Sequence, residues 1–326
     1  MKELIKEYFF DEKKLPLVME SKDNSVPLAE FVAANKPEIL AKMYENGAVL
    51  FRNFYTGEVG DFQQAVLELD PVKLDYNFRS TSRKTVNQNV LTSTSYPASE
   101  HILMHNENAY KTKWPMKLWF YCDIQPGKGG ETPLACSKTM YQRMNPTILK
   151  KFEENRLMYV RNYQAGLDLP WQEVFQTEDK ADVAKFCEAN DIQYEWIGKN
   201  HLRTKNISQT TYIHPVTREK VWFNQSHLFH VSALKPESRS IIVQAFGLDN
   251  VPRNVFFENG EPLDEGMLEE IKELFVDVKT AFPWQKGDAV LVDNMLVAHG
   301  RHPFEGDRRI LVAMSEEYNS KAVPVA

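Results

Sequence analysis

The sequence predicts an α+β domain, a β-sandwich or barrel decorated by helices, and three observations carry that expectation. Aromatic and β-branched runs bounded by proline and glycine occur near both ends of the chain. Segments with helical apolar spacing cluster between them. Neither GxGxxG nor GxxxxGK[ST] occurs, so a doubly wound nucleotide-binding sheet has no support.

The elements follow in order. "LAEFVAANKPEILAKMYE" (28–45) has helical spacing, with a break expected near Pro37 and an end at Asn46-Gly47. "AVLFRNF" (48–54) reads as a short buried strand, and a second helix is expected from Gly60 to Leu69. "MKLWFYCDI" (116–124) is the clearest strand, set off by Trp114-Pro115 and Pro126-Gly127. Helices are expected within Ser137–Asn155, Glu178–Asn190, Pro236–Phe246 and Leu263–Ala281. Strands are expected between Tyr194 and Asn224, with a hairpin around Thr217-Arg218. Two C-terminal strands, Asp288–Leu296 and Arg308–Tyr318, flank "VAHGRHPFEGD", which reads as a polar loop. No repeat or linker-like run appears, so one domain over 1–326 is expected, with a helical insertion at roughly 137–281.

Composition narrows the function. The chain has 326 residues, is 43% hydrophobic and carries a net charge of −6 without a Lys/Arg-rich run, so neither nucleic acid nor an anionic membrane is an expected partner. No apolar run approaches the ~20 residues that span a bilayer. The charged "MKELIKEYFFDEKKLP" start lacks a signal-peptide core, and three cysteines form no CxxC pair. These features lead us to expect a cytoplasmic protein.

Chemistry concentrates in "HILMHNENAY" (101–110). His105 and Glu107 stand at i and i+2, which in extended chain share one face. A hydrated polar loop would read the same way. Of eight histidines, His299 is best placed as a third ligand, where an apolar strand gives way to the expected loop. Two histidines and a carboxylate form the facial triad of non-haem Fe(II) oxygenases, which leaves coordination positions for a chelating cosubstrate and O2. Arg308 and Arg309 offer a fork for a distal carboxylate, or an ordinary surface ion pair. Thr132 follows Gly129-Gly130, a pair that alone is only turn punctuation.

Together, "HNENAY", "WPMKLWFYCDIQPGKGGETPLA" and "WQKGDAVLVDNMLVAHGRHPFEGDRRILVAM" resemble the taurine dioxygenase/clavaminate synthase superfamily of Fe(II)- and 2-oxoglutarate-dependent dioxygenases. The resemblance spans roughly residues 28 to 318 and implies a double-stranded β-helix (jelly-roll) core with flanking helices. It implies that His105, Glu107 and His299 hold Fe(II), and that Thr132 and an arginine hold 2-oxoglutarate. Arg308 is preferred for that arginine, with Arg309 the alternative if the loop aligns as in taurine dioxygenase. The family's sulfonate-binding arginine would stand four residues further on, where this chain has Val312 or Ala313, a departure that argues against a taurine-type substrate.

The expected reaction is hydroxylation of a C–H in a small amino-acid-like molecule, free or presented on a carrier protein, with release of succinate and CO2. The carboxylate of Glu107 favours hydroxylation over halogenation, because related halogenases carry a small residue there. Arg203, Asn224 and Gln225 are candidate substrate contacts, with satisfied polar groups on a sheet edge as the competing reading. "RNYQAGLDLPWQEVFQ" (161–176) and "VWFNQSHLFH" (221–230) are expected near the pocket, with His227 and His230 as buried histidines. A catabolic dioxygenase acting on another small carboxylate or sulfonate, and a non-catalytic binding relic, are the alternatives. A zinc hydrolase would need a general base, and no HExxH is present. Oligomeric state is left open.

Overall fold

The structure, a computed structural model, describes residues 4–57, 59–71, 85–87, 90–92, 96–164 and 168–321. Its core is an eight-stranded sheet in the order β1 (Ile5–Tyr8), β2 (Leu17–Ser21), β3 (Ala48–Arg52), β16 (Ala289–Asp293), β7 (Lys113–Ile124), β19 (Arg309–Asn319), β5 (Val90–Thr92), β4 (Thr85–Asn87). Strands from the two ends of the chain alternate in its centre, and all pairs are antiparallel except β2 with β3.

Alternation along β7 decides what each face covers. Trp119 and Tyr121 point to one side with Val49, Phe51, Leu291 and Leu311, and meet α1 (Leu28–Asn46) and α2 (Val59–Leu69). Phe51 stacks on Trp119 and Phe62 on Tyr121, with centroids 5.6 and 4.7 Å apart. Leu118, Phe120 and Cys122 point to the other side with Val290, Val292, Ile310 and Val312. That face meets a three-stranded sheet of β6 (Ile102–His105), β17 (Val297–Arg301) and β9 (Leu134–Cys136). Two apposed sheets with helices outside give the jelly-roll core expected from the resemblance.

Local chemistry explains the joints. Helix α1 bends where Asn35 leaves helical geometry (φ −126°), two residues before Pro37. Gly47 then ends it at φ +80°, and a Cβ there would lie 2.5 Å from Val297 Cγ2, so only glycine lets α1 stop against β17. The buried Arg52 donates to both carboxylate oxygens of Asp288 at 3.0 and 2.6 Å, tying β3 to the approach to β16.

The stretch 137–281 holds the expected helices, together with more strands than those expected between Tyr194 and Asn224. It holds α3 (Ser137–Arg143), α4 (Pro146–Glu154), α5 (Trp171–Phe175), α6 (Lys180–Ala189), α7 (Ser226–Phe229), α8 (Pro236–Phe246) and α9 (Glu265–Val278). It also holds a four-stranded antiparallel sheet, ordered β11 (Gln193–Ile197), β12 (His201–Ser208), β10 (Leu157–Tyr163), β15 (Arg253–Phe257). β10 and β15 escape sequence reading because charged and amide residues interrupt their apolar alternation, and nearly all of these are buried by pairing and packing. The hairpin expected at Thr217-Arg218 forms between β13 (Thr211–Ile213) and β14 (Lys220–Trp222), with Arg218 at φ +62°.

A correction concerns 297–307, expected as a polar loop. Val297–Arg301 is a strand with every residue buried, paired to β6 and β9, and Phe304–Glu305 (β18) pairs with Lys128–Gly129 (β8). The strand expected to run to Leu296 stops at Asp293, whose Oδ1 accepts the Met295 and Leu296 N–H groups and turns the chain.

Candidate metal and cosubstrate site

Register brings the ligands together. His105 and His299 are direct cross-strand partners in the β6–β17 ladder, and their rings lie 4.4 Å apart. Glu107 reaches them from a turn beginning at the end of β6, with Asn108 at φ +59°, and not from extended chain as the i, i+2 spacing suggested. Ligand atoms of His105, Glu107 and His299 all lie within 4.8 Å of one another. They are the one such His/Cys/Asp/Glu group among the described residues.

The donor set fits a divalent iron. Two imidazoles and one carboxylate suit Fe(II) and leave positions for other ligands. His105 Nδ1 lies 2.8 Å from the Leu103 carbonyl, which can only accept, so the proton sits on Nδ1 and the lone pair on Nε2. Glu107 and His299 are buried, and Phe120 packs against His299 with centroids 4.9 Å apart. His227 sits behind β6, donating from Nε2 to the Met104 carbonyl at 2.8 Å. Burial pushes its pKa down to about 4, so it stays neutral.

A second cluster lies at the glycine turn. Arg308 Nε donates to the Gly130 carbonyl at 2.8 Å, and a terminal nitrogen lies 3.5 Å from Thr132 Oγ1. Gly130 is at φ +73°, and a Cβ there would crowd Arg308 Cδ, Phe304 and Pro126 at 3.0 Å each. Thr132 Oγ1 also accepts from Trp284 Nε1 at 3.2 Å, which directs the hydroxyl proton toward a further acceptor. Burial, and then the neighbouring Arg301, pull the Arg308 guanidinium down to about 10, so it is a desolvated cation at neutral pH. Arg309 begins β19 and forms a surface ion pair with Asp123, its side chain 53% exposed. Arg308, not Arg309, meets Thr132.

The substrate candidates fare differently. Arg203 binds Asn162, Glu195, the Asp249 carbonyl and Asn250, none of them in either cluster. Asn224 donates to the Thr210 carbonyl and accepts the Ser226 N–H. Gln225 donates to the Asn106 carbonyl at 2.6 Å, so it supports the ligand turn through backbone. His227 and His230 are buried, as expected.

Sequence reading missed Arg161 and Lys111. Arg161, 2% exposed, shares the buried face of β10 with Tyr159 and Tyr163. That face meets the ligand turn, where Tyr110 packs on Tyr159 and Ser208 donates to the Ala109 carbonyl. Its guanidinium lies over the Tyr163 ring at 4.7 Å, and both it and Arg253 contact Asp168. Lys111 is pulled down to about 7 by burial, against the opposing effect of Glu107. The available signal was a lone arginine inside "LMYVRNY", a pattern no motif distinguishes. Of the segment 161–176, residues 165–167 lie outside those described.

Comparison with known proteins agrees with this geometry. Residues 12–314 match the family described as taurine catabolism dioxygenase TauD, TfdA. The chain belongs to this family. It is a 2-oxoglutarate-dependent non-haem iron dioxygenase, with Fe(II) as metal and 2-oxoglutarate and O2 as cosubstrates.

This dioxygenase is 41% identical over 270 residues to dapdiamide synthesis protein DdaC of Enterobacter agglomerans, covering 83% of this chain and 82% of that one. It is 29% identical over 328 residues to a clavaminate synthase-like protein of Arabidopsis thaliana, covering 94% of each. Among solved structures, PvcB of Pseudomonas aeruginosa shares the fold at a TM-score of 0.58 and 14% identity, over 95% of this chain and 90% of that one. AAD-2, solved with Mn(II) and N-oxalylglycine, does so at 0.53 and 12%, over 95% and 96%. No described helix is long and apolar enough to cross a membrane.

Proposed function

We propose that this dioxygenase hydroxylates a C–H of a small amino-acid-like substrate, with His105, Glu107 and His299 holding Fe(II) and with Thr132 and Arg308 holding the distal carboxylate of 2-oxoglutarate. The observation that carries the reading is the cross-strand placement of His105 and His299 with Glu107 in one cluster. Bound Fe(II) supplies the redox chemistry: one atom of O2 goes into succinate as 2-oxoglutarate loses CO2, and the other becomes the substrate hydroxyl. The chain's own residues orient and shield. Arg308 and Thr132 would hold the distal carboxylate of the cosubstrate, Phe120 covers one side of His299, and the Glu107 carboxylate would take the place a halide would need.

The substrate class rests on charge placement. Val312 packs into the inter-sheet core and Ala313 into the helix-covered face, so neither position four residues beyond the arginines provides a cation for a sulfonate. Arg161, buried on the face toward the ligand turn, supports a substrate carboxylate in its place. The identity to a dapdiamide synthesis protein supports a biosynthetic, amino-acid-derived substrate. Three unpaired cysteines are consistent with a reducing cytoplasm.

The test is succinate formation with Fe(II), 2-oxoglutarate and ascorbate against amino acids, their amide and N-acyl derivatives, taurine and aryloxyacetates, each free and, for the acids, carrier-linked. Amino-acid derivatives should give coupled turnover, and Arg161→Gln should raise KM for a free carboxylate far more than for its carboxamide. Turnover of taurine or an aryloxyacetate, with none for any amino-acid derivative, would reject the substrate class and leave the iron site standing.

A further inference from the structure

Asn294 holds the backbone of Glu107 at both ends of one residue. Its Oδ1 accepts the Glu107 N–H at 2.7 Å, and its Nδ2 donates to the Glu107 carbonyl at 2.9 Å and to the Pro115 carbonyl at 2.8 Å. The two carbonyls can only accept, so the orientation of the amide is determined. The side chain thereby imitates a β-bridge partner, with both amide protons and the carbonyl oxygen used. Asn294 is itself fully buried and fixed: its N–H donates to the Met116 carbonyl at 2.8 Å, and its carbonyl accepts from Asn106 Nδ2 at 2.7 Å.

The turn carrying Asn294 is anchored from the other side as well. Asp293 accepts from Met295 and Leu296 N–H through Oδ1, and from His214 Nε2 at 3.0 Å through Oδ2. His214 Nδ1 accepts from Val216 and Thr217 N–H, which places the ring proton on Nε2. Five residues beyond Asn294, the same stretch delivers His299 to its place opposite His105. One short segment therefore sets two ligand positions: His299 through strand pairing, and Glu107 through the Asn294 amide across 187 residues of sequence.

We infer that Asn294 is a positioning residue that preorganises Glu107 for the metal, before any metal binds. The inference rests on Glu107 being an iron ligand, as proposed above. Aspartate has the same shape but no amide protons, so it would face two carbonyls with a carboxylate. Alanine would leave the Glu107 N–H and two buried carbonyls unsatisfied. Groups that orient a ligand typically govern metal affinity by ~10- to 100-fold.

The experiment titrates Mn(II) into the wild-type chain and into Asn294→Ala, Asn294→Asp, Glu107→Ala and Asn162→Ala, reading free Mn(II) by its paramagnetic resonance, alongside Tm. Asn162 is the matched control: it is a buried asparagine donating to two backbone carbonyls, those of Asp249 and Val251. Both Asn294 variants should bind Mn(II) ~10- to 100-fold more weakly, while Asn162→Ala lowers Tm and keeps wild-type affinity. Wild-type affinity in a folded Asn294 variant, or an equal loss in Asn162→Ala, overturns the inference. Should neither Asn294 variant fold, amide exchange in the metal-free wild type decides: a protected Glu107 N–H supports preorganisation, and exchange at the rate of an open turn refutes it. If Glu107→Ala itself keeps full affinity, the ligand assignment fails and takes the inference with it. If Glu107→Ala loses affinity and the Asn294 variants do not, only the positioning role falls.

Discussion

Replacing Arg308 should cripple 2-oxoglutarate binding, and replacing its neighbour should not. Arg308 is oriented by Gly130, lies beside Thr132 and is desolvated enough for its pKa to fall to about 10. A carboxylate bound there would complete a buried charge-assisted pair. Truncating one partner of such a pair costs ~2–5 kcal/mol, or roughly 30- to several-thousand-fold in affinity. We expect at least ~100-fold for Arg308→Ala. Arg309 is half-exposed beside Asp123, and exposed pairs contribute ~0–1 kcal/mol, so Arg309→Ala should cost at most ~5-fold. Arg308→Lys should fall between, because a point charge replaces a planar fork. The assay is calorimetric titration of 2-oxoglutarate into the anaerobic, Mn(II)-loaded protein, with Tm recorded for each variant. A larger loss for Arg309→Ala, or less than threefold for Arg308→Ala, would refute the assignment and shift the alignment of this loop by one residue.

Other expectations follow from the same geometry. His105→Ala and His299→Ala should each abolish iron-dependent succinate formation, since two ligands hold a divalent ion weakly; near-normal activity in the His299 variant would mean the third ligand is misassigned. Wild-type enzyme at high chloride should give no chlorinated product by mass spectrometry, and Glu107→Ala should lose hydroxylation; efficient hydroxylation by that variant would remove Glu107 from the site. Stability should drop on acidification because of His227. Its folded pKa of about 4 lies below the usual 6.5, so the unfolded chain binds the proton more tightly. The stability it contributes is present above pH 6.5 and is lost as pH falls toward 4, by about 3 kcal/mol. Urea unfolding across that window measures the slope, and His227→Gln, which keeps a donor for the Met104 carbonyl, should flatten it; an unchanged slope in that variant would assign the acid sensitivity elsewhere.

The jelly-roll core serves the site through its division of labour. Helices α1 and α2 cover one face of the large sheet, leaving the other to pack against the three strands that carry His105 and His299. His299 therefore stands on buried backbone paired on both sides, with His105 on the strand paired directly beside it.

Short-range physics determined much from the sequence alone. The α1 kink near Pro37, its glycine stop, the aromatic strand β7 and the Thr217-Arg218 hairpin depend on residues within a few positions of one another, and each formed, although β7 begins at Lys113 and takes in the Trp114-Pro115 expected to bound it. The resemblance carried by three ordered motifs pointed to His105, Glu107, Thr132 and His299, and the fold gathers the three ligand candidates into one cluster. Tertiary structure decided what rests on pairing across the chain. "VAHGR" became a strand because β6 and β9 satisfy its backbone on both sides, although its composition reads as loop. Arg308 and Arg309 are adjacent and chemically identical, and the bulge at the start of β19 and the turn at Gly130 separate a half-buried fork from a surface ion pair. Arg203, Asn224 and Gln225 could be read from sequence either as substrate contacts or as satisfied polar groups, and packing gave each a backbone or side-chain partner. Arg161 and Asn294 carried no local signal, since burial and the direction of a side chain are set by elements that fold against it from elsewhere in the sequence.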